Sequence, residues 1–422
     1  MRLNINSTLL SWVIRLLSIG VQFLAVRLIT EIQGPTGFGL YSFLGALIGI
    51  GAQFDLGLGI FLQNRLTATV ARGRPTNHLS EGMLHSAALL GGIWACAGAL
   101  VIIGIHFTIP NSNTSTYAAL FPLAVAFGIS NIYARTAYAS GNGKWIYIYQ
   151  LAYQATFLIF LIVQSALEFK VSVPITIGIY YALYTLCNFA VGISKGAGPR
   201  SMRWRPSLQR FRTWINQARG FAFFGLIGLI ITQLDIIIIG SFGEFHGLAY
   251  YTFITKVFFA GCYTFISISY SLEHPKIASC WAAGDAANLR HRIRRMLATS
   301  AMLSLAFFLC FYIGERPIAN LIIPGVLGMK DSTSWTGYFM IFFFIRVISD
   351  GLLTILLALS RSRLINSVMC IQAPICAFGQ IAIFPHMGIS GILIIQTISY
   401  TLAAAIYYKT IHRALTNDLK RK

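Results

Sequence analysis

The sequence predicts an all-α integral membrane protein of about twelve transmembrane helices in two six-helix bundles, and three observations lead there. The 422-residue chain is 56% hydrophobic and only 10% charged. Twelve apolar stretches are each long enough to cross a bilayer, which takes ~20 apolar residues. The segments between them are alternately rich and poor in Lys and Arg.

Taken in order, the expected spans are 9–30, 38–62, 82–107, 117–140, 145–166, 174–194, 219–240, 247–272, 296–314, 336–359, 366–384 and 389–408. The first segment is too long for a signal-peptide core, contains Arg15 and lacks a small-x-small cleavage site, so it reads as a retained span. The first connection, Gln33 to Gly39, has no Lys or Arg, whereas the second carries Arg65, Arg72 and Arg74. Seven basic residues between Lys195 and Arg219 follow span six, and five between Lys276 and Arg295 follow span eight. Together with Arg2, Lys144, Arg361, Arg363 and the tail, 24 of the 32 basic residues fall on one side, against Lys170, Arg316 and Lys330 on the other. Positive loops stay cytoplasmic, so both termini are expected inside.

The formal charge of +20 therefore reflects topology and contact with anionic headgroups, and nucleic acid is not an expected partner. The expected organisation is an N-terminal bundle at 1–195, a basic cytoplasmic connection at 196–218, a C-terminal bundle at 219–408 and a basic tail at 409–422. Weak self-similarity supports a parallel repeat: Gly39-Leu40 and Gly247-Leu248 open spans two and eight at an offset of 208.

Several chemistries lack their residues. Gly141-Asn142-Gly143-Lys144-Trp145 has neither the length nor the Ser or Thr of a phosphate-binding loop. The eight histidines form no HExxH and no pairing with cysteine at metal spacing, so no metal or cofactor is expected. The seven cysteines are scattered without a CxxC pair and read as small apolar packing residues. A membrane enzyme generally needs acids in a large outer loop, yet the longest outer connection, about Glu315 to Trp335, carries only Glu315 and Asp331. The expectation is a protein that is not an enzyme.

Eight ionisable residues fall within or at the edges of spans: Arg15, Arg27, Asp55, Arg135, Asp235, Lys256, Arg346 and Asp350. Each would cost ~2.5–3.5 kcal/mol at a helix centre, so the deeper ones should face an interior or a watery cavity. Ser11, Arg15, Ser18 and Gln22 share one helix face; so do Asn131, Arg135, Tyr138 and Asn142, while Thr252, Lys256, Tyr263 and Ser267 lie close to one stripe. Such a stripe can glue helices together or line a cationic cavity. Arg346 and Asp350, four apart, read as a structural pair, and Arg27 can pair with Glu31 or, under the offset of 208, meet Asp235. Tyr147, Tyr149, Gln150, Tyr153 and Gln154 can stack on sugars or simply pack helices.

The first eighty residues also carry a resemblance. Arg27-Leu28, then Gly34-Pro35-Thr36-Gly37-Phe38-Gly39-Leu40-Tyr41, Phe54-Asp55-Leu56-Gly57-Leu58-Gly59 and Asn64-Arg65-Leu66 resemble the opening of polysaccharide transporters, the Wzx-like O-antigen flippases of the MOP exporter superfamily. The resemblance implies two six-helix bundles in a V and a cationic lumen that receives an undecaprenyl-pyrophosphate-linked oligosaccharide, with coupling to a proton or sodium gradient. Arg15, Arg135, Lys256 and Arg27 are then the candidate substrate-binding cations. Asp235 and Asp350 are candidates for ion coupling, and Asp55, in a Gly-rich turn, suits a loop anchor. Membrane lipids, a polysaccharide polymerase and chain-length proteins are the further partners this implies, and the bacterial inner membrane is the implied location. A multidrug or small-molecule exporter of the same architecture and a polysaccharide polymerase or ligase are the competing readings.

Overall fold

The computed structural model describes residues 5–51, 55–71, 86–96, 120–139, 143–195, 208–325, 332–359 and 361–418. Among these, all regular structure is helical. The helices are α1 (Ile5–Ile50), α2 (Leu58–Ala71), α3 (Ser86–Cys96), α4 (Leu120–Ala139), α5 (Gly143–Ala166), α6 (Val173–Lys195), α7 (Leu208–Ser241), α8 (Phe245–Val257), α9 (Thr264–Ala283), α10 (Ala286–Ile322), α11 (Ser332–Ala358) and α12 (Ser362–Arg413). A π-helical turn, Phe258–Tyr263, joins α8 to α9 without a break. The chain divides into one compact unit over Met1–Leu226 and a second over Ile227–Lys422, with the division inside α7.

Several apolar stretches that read as separate spans are continuous. α1 includes the first expected span and most of the second, and the expected connection Gln33 to Gly39 reduces to a kink at Gly34, with φ 74 and ψ 170, ahead of Pro35. α12 joins the last two spans across Gly388, with φ 55 and ψ −140. Both kinks need glycine, because a Cβ disfavours such backbone conformations. Among the described residues, six helices are long and apolar enough to cross a membrane.

The expected second span, 38–62, is interrupted: α1 stops at Ile50 and α2 starts at Leu58, after a turn through Leu56 and Gly57, both at positive φ. The turn falls in the Gly-rich run around Asp55 that was expected to hold one, within the apolar window rather than at its end. Other ends extend past the apolar windows. α7 begins at Leu208, inside the expected basic connection, because Phe211, Trp214 and Ile215 give its start an apolar face packed on Leu62, Leu66 and Ile132. α10 continues through Pro317 to Ile322, so Glu315 lies in a helix and is buried, although it was expected in an outer connection.

In the first unit α1 packs on α5 and α6, α4 on α6, and α2 on α4. In the second, α11 packs on α12, and α9, α10 and α11 pack on one another. Exposed residues such as Leu16, Leu17 and Leu24 on α1 and Leu305 and Leu309 on α10 are apolar, as lipid-facing surfaces must be. The interiors hold unusual polar side chains, among them Gln154, Asn188, Asp235, Glu315, Gln380 and Gln396. Buried polar groups need partners, and those partners define the candidate site.

Candidate functional site

On α1 the polar stripe borders the buried face formed by Ile14, Ser18, Ala25 and Ile29. Arg15 is exposed, its Nη2 donates to Tyr147 Oη at 3.3 Å, and its Cζ stands 4.9 Å from the Tyr147 ring centroid. Ser18 donates to Gln154 Oε1, and Gln154 Nε2 donates to Tyr153 Oη at 3.4 Å. Two polar positions of α1 therefore meet two of α5. The side chain of Ser11 lies outside the described residues. Arg27 is held by Glu31, Nε to Oε1 at 2.7 Å.

Asp55 anchors the turn ahead of α2: Oδ1 accepts the Gly57 N–H at 2.7 Å and Oδ2 the Gly59 N–H at 3.3 Å. Arg135 of α4 lies against this turn, and its Nη1 donates to Gln63 Oε1 at 3.3 Å. A Cβ on Gly59 would stand 2.6 Å from Asp55 Oδ2 and 2.8 Å from Arg135 Cδ. Asn131, one turn from Arg135, accepts from Asn188 Nδ2 at 3.1 Å, while the side chains of Tyr138 and Asn142 lie outside the described residues. Tyr180, Tyr184 and Asn188 of α6 recur every four residues and complete this interior. The Tyr153 ring packs edge-on to Tyr180 and Tyr184, at centroid distances of 5.6 and 4.9 Å. Sequence reasoning passed over this α6 stripe, although its spacing was available.

In the second unit, Arg346 Nε lies 3.9 Å from Asp350 Oδ2, and Tyr263 Oη donates to the same oxygen at 2.8 Å. The π-turn supplies Tyr263, because its extra residue rotates α9 about its axis relative to α8. Phe259 and Tyr400 flank the guanidinium, with centroids 4.6 and 5.5 Å from Arg346 Cζ. Asp235 of α7 accepts from Ile236 N–H at 2.8 Å, from Gln396 Nε2 at 3.0 Å and from Tyr251 Oη. Lys256 is half-buried just before the π-turn, near the buried Thr252, and Ser267 donates to the Thr264 carbonyl at 2.8 Å. A further buried carboxylate, Glu315, accepts from Thr336 Oγ1 at 2.7 Å and from Tyr250. No spacing within one helix announces the Asp235 or Glu315 contacts, since each joins different helices.

Among the described residues no group of His, Cys, Asp and Glu has the makings of a metal site, and all seven cysteines are free.

No family model matches the chain. It is similar to an inward-facing multidrug resistance MATE family transporter of the MOP superfamily, with a TM-score of 0.73 over 96% of each chain at 12% identity. It is also similar to the lipid II flippase MurJ in an inward closed conformation, with a TM-score of 0.67 over 97% of this chain and 88% of that one at 11% identity. The fold is that of the MOP superfamily. Two relatives align at low identity: a putative O-antigen export protein of Yersinia pseudotuberculosis, 20% identical over 337 residues, covering 75% of this chain and 74% of its own; and a putative O-antigen transporter of Salmonella typhi, 20% identical over 426 aligned residues and 94% of both chains. The relatives and the MOP neighbours are transporters, not enzymes. With its long apolar helices, this MOP-fold chain is a multi-pass membrane protein.

Proposed function

We propose that the chain flips an undecaprenyl-pyrophosphate-linked oligosaccharide, the repeat unit of an O-antigen or another surface polysaccharide, from the inner to the outer leaflet of a bacterial inner membrane. In this reading it works by alternating access, with both termini cytoplasmic. Arg15, Arg135 and Lys256 receive the pyrophosphate, Arg27 is a further cation, and an ion gradient acts through Asp235 or Asp350. A pyrophosphate leaving water needs cations, and the planar fork of Arg suits phosphate oxygens.

The carrying observation is Arg15: an exposed guanidinium on a polar helix stripe, backed by the Tyr147 ring, in a chain alignable with an O-antigen transporter over 94% of its length. The test is complementation of a strain lacking its own flippase. The chain should restore surface polysaccharide, and Arg15→Gln, Arg135→Gln and Lys256→Gln should each reduce it while lipid-linked oligosaccharide builds up on the cytoplasmic leaflet. Normal polysaccharide in all three variants at native expression removes the cationic-lumen mechanism. Reporter fusions after Arg205 and Lys422 should read cytoplasmic, and those near Asn113 and Ser332 external.

A small-cation exporter is the second reading, supported by the likeness to the MATE transporter. It predicts raised resistance to cationic drugs on expression, which the flippase reading does not.

A further inference from the structure

In the second unit two carboxylates, the buried Asp235 and the mostly withdrawn Asp350, share one guanidinium, Arg346. Asp350 has Arg346 at 3.9 Å and Tyr263 at 2.8 Å, whereas Asp235 has three hydrogen-bond donors and no cation within 4.0 Å among the described residues. Tyr251 of α8, Cys376 and Tyr400 of α12 and Arg346 of α11 surround Asp235; Tyr263, Tyr270, Tyr400 and Tyr407 surround Asp350. With both carboxyls ionised, the group formed by Asp235, Asp350 and Arg346 carries one negative charge in excess, which a low-dielectric medium penalises heavily. One proton removes it.

The geometry points to Asp235 as a proton-binding site, with Gln396 as the residue that reads its protonation state. This deepens the coupling reading above and rests on it: it names the ion and separates the roles of the two carboxyls. Asp350 is neutralised by Arg346, which leaves Asp235 to take the proton. Every group on Asp235 is a donor: a backbone N–H, an amide NH2 and a phenol. As arranged, that set turns hydrogens toward the carboxylate, whereas a sodium ion needs oxygens pointing inward.

The second observation is Gln396 itself. It is 2% exposed, and its Oε1 has no hydrogen-bond partner while its Nε2 faces the carboxylate. An amide presents a donor at one end and an acceptor at the other. Facing ionised Asp235, Gln396 offers NH2. When a proton from the aqueous phase forms an O–H bond at Oδ2, a half-turn of the amide lets Oε1 accept that hydrogen. Gln380, fully buried with both amide atoms unpartnered, lies on the other limb of kinked α12, where the neighbouring Gly379 would bring a Cβ within 2.9 Å of Ile395.

The test is infrared difference spectroscopy of the full chain in lipid nanodiscs, stepping between acidic and alkaline buffer. A protonated-carboxyl C=O band is expected, lost in Asp235→Asn, shifted in Gln396→Leu, which removes the acceptor, and moved to lower pH in Asp350→Asn, where Arg346 is left to compensate Asp235. Exchanging sodium for choline at constant pH should leave it unmoved. A band that survives in Asp235→Asn, or keeps its pH range in Asp350→Asn, or moves with sodium, overturns the assignment. If Asp235→Asn does not fold, Gln396→Leu decides alone, because an unshifted band there also overturns it. Surface polysaccharide in the same strains tests coupling separately. The expected bands with normal polysaccharide in Asp235→Asn leave the proton site standing and remove its role in transport.

Discussion

Arg346 and Asp350 lie one turn apart on α11 with Nε and Oδ2 at 3.9 Å, and Phe259 and Tyr400 close over the guanidinium. The pair is mostly withdrawn from solvent, at 15% and 20% side-chain exposure. Removing one member of such a pair leaves the other charge buried without compensation, at ~3–5 kcal/mol. Asp350→Asn and Arg346→Gln should each lower the yield of monodisperse protein in detergent chromatography, and the exchange Arg346→Asp with Asp350→Arg should recover part of it. Normal yield of Asp350→Asn with abolished transport would instead assign Asp350 to coupling.

Gly59 is the point where Asp55 and Arg135 converge on α2. A Cβ there must displace Arg135, whose Cδ stands 2.8 Å from its position, or break the Asp55 cap on Gly59 N–H. Overpacking of this kind costs ~1–3 kcal/mol. Gly59→Ala should therefore lower thermal stability, measured by loss of monodisperse protein on heating. Gly49→Ala on α1, where nothing lies within 4 Å, should not. Equal stability of both variants would mean that the turn yields freely.

The helix spacing of Arg346 with Asp350 and of Arg27 with Glu31 makes these contacts legible in sequence, because i and i+4 share a face whatever the tertiary structure. Hydropathy likewise reveals apolar length. It does not by itself reveal the turn at Leu56 and Gly57, which the glycines around Asp55 announce instead, or the aromatic start of α7, whose arginines hide it. The partners of Asp235 come from α8 and α12, and Gln396 lies 161 residues away in the chain. The partners of Glu315 come from α8 and α11. Contacts of that kind depend on how helices pack, which one-dimensional periodicity does not encode. The π-turn is equally silent: Phe258–Tyr263 has an ordinary membrane-helix composition, yet it turns Tyr263 toward Asp350.

Glu273 near the end of α9 accepts from Lys276 Nζ at 2.7 Å and from Arg292 Nη1 of α10 at 3.3 Å. The Lys276 hydrogen bond, and then Arg292, hold its carboxyl below the ordinary glutamate value. A depressed folded-state value means the stabilisation is complete above the unfolded value, ~4.3, and is lost as pH falls through the folded one. Solvent screening at this partly exposed cluster limits it to ~0–1 kcal/mol. Glu273→Gln should lower Tm slightly at neutral pH, and the difference from wild type should vanish in strong acid. A difference that grows with acidity contradicts the ion-pair account.

Arg15 and Tyr147 separate two contributions that a single arginine substitution would merge. The ring beneath the guanidinium contributes ~0.5–1 kcal/mol at an exposed site, and the phenol adds one hydrogen bond at 3.3 Å. Tyr147→Phe keeps the ring and should leave surface polysaccharide near normal; Tyr147→Leu loses both contacts and frees Arg15 to sample other rotamers, so it should reduce polysaccharide by several-fold. Arg15→Lys keeps charge but loses the fork that binds two phosphate oxygens, and should recover only part of what Arg15→Gln loses. The order expected in the complementation assay is therefore wild type and Tyr147→Phe above Arg15→Lys and Tyr147→Leu, with Arg15→Gln lowest. If Tyr147→Phe fell as far as Arg15→Gln, the phenol rather than the guanidinium would be the group that meets the substrate, and Arg15 would be its support.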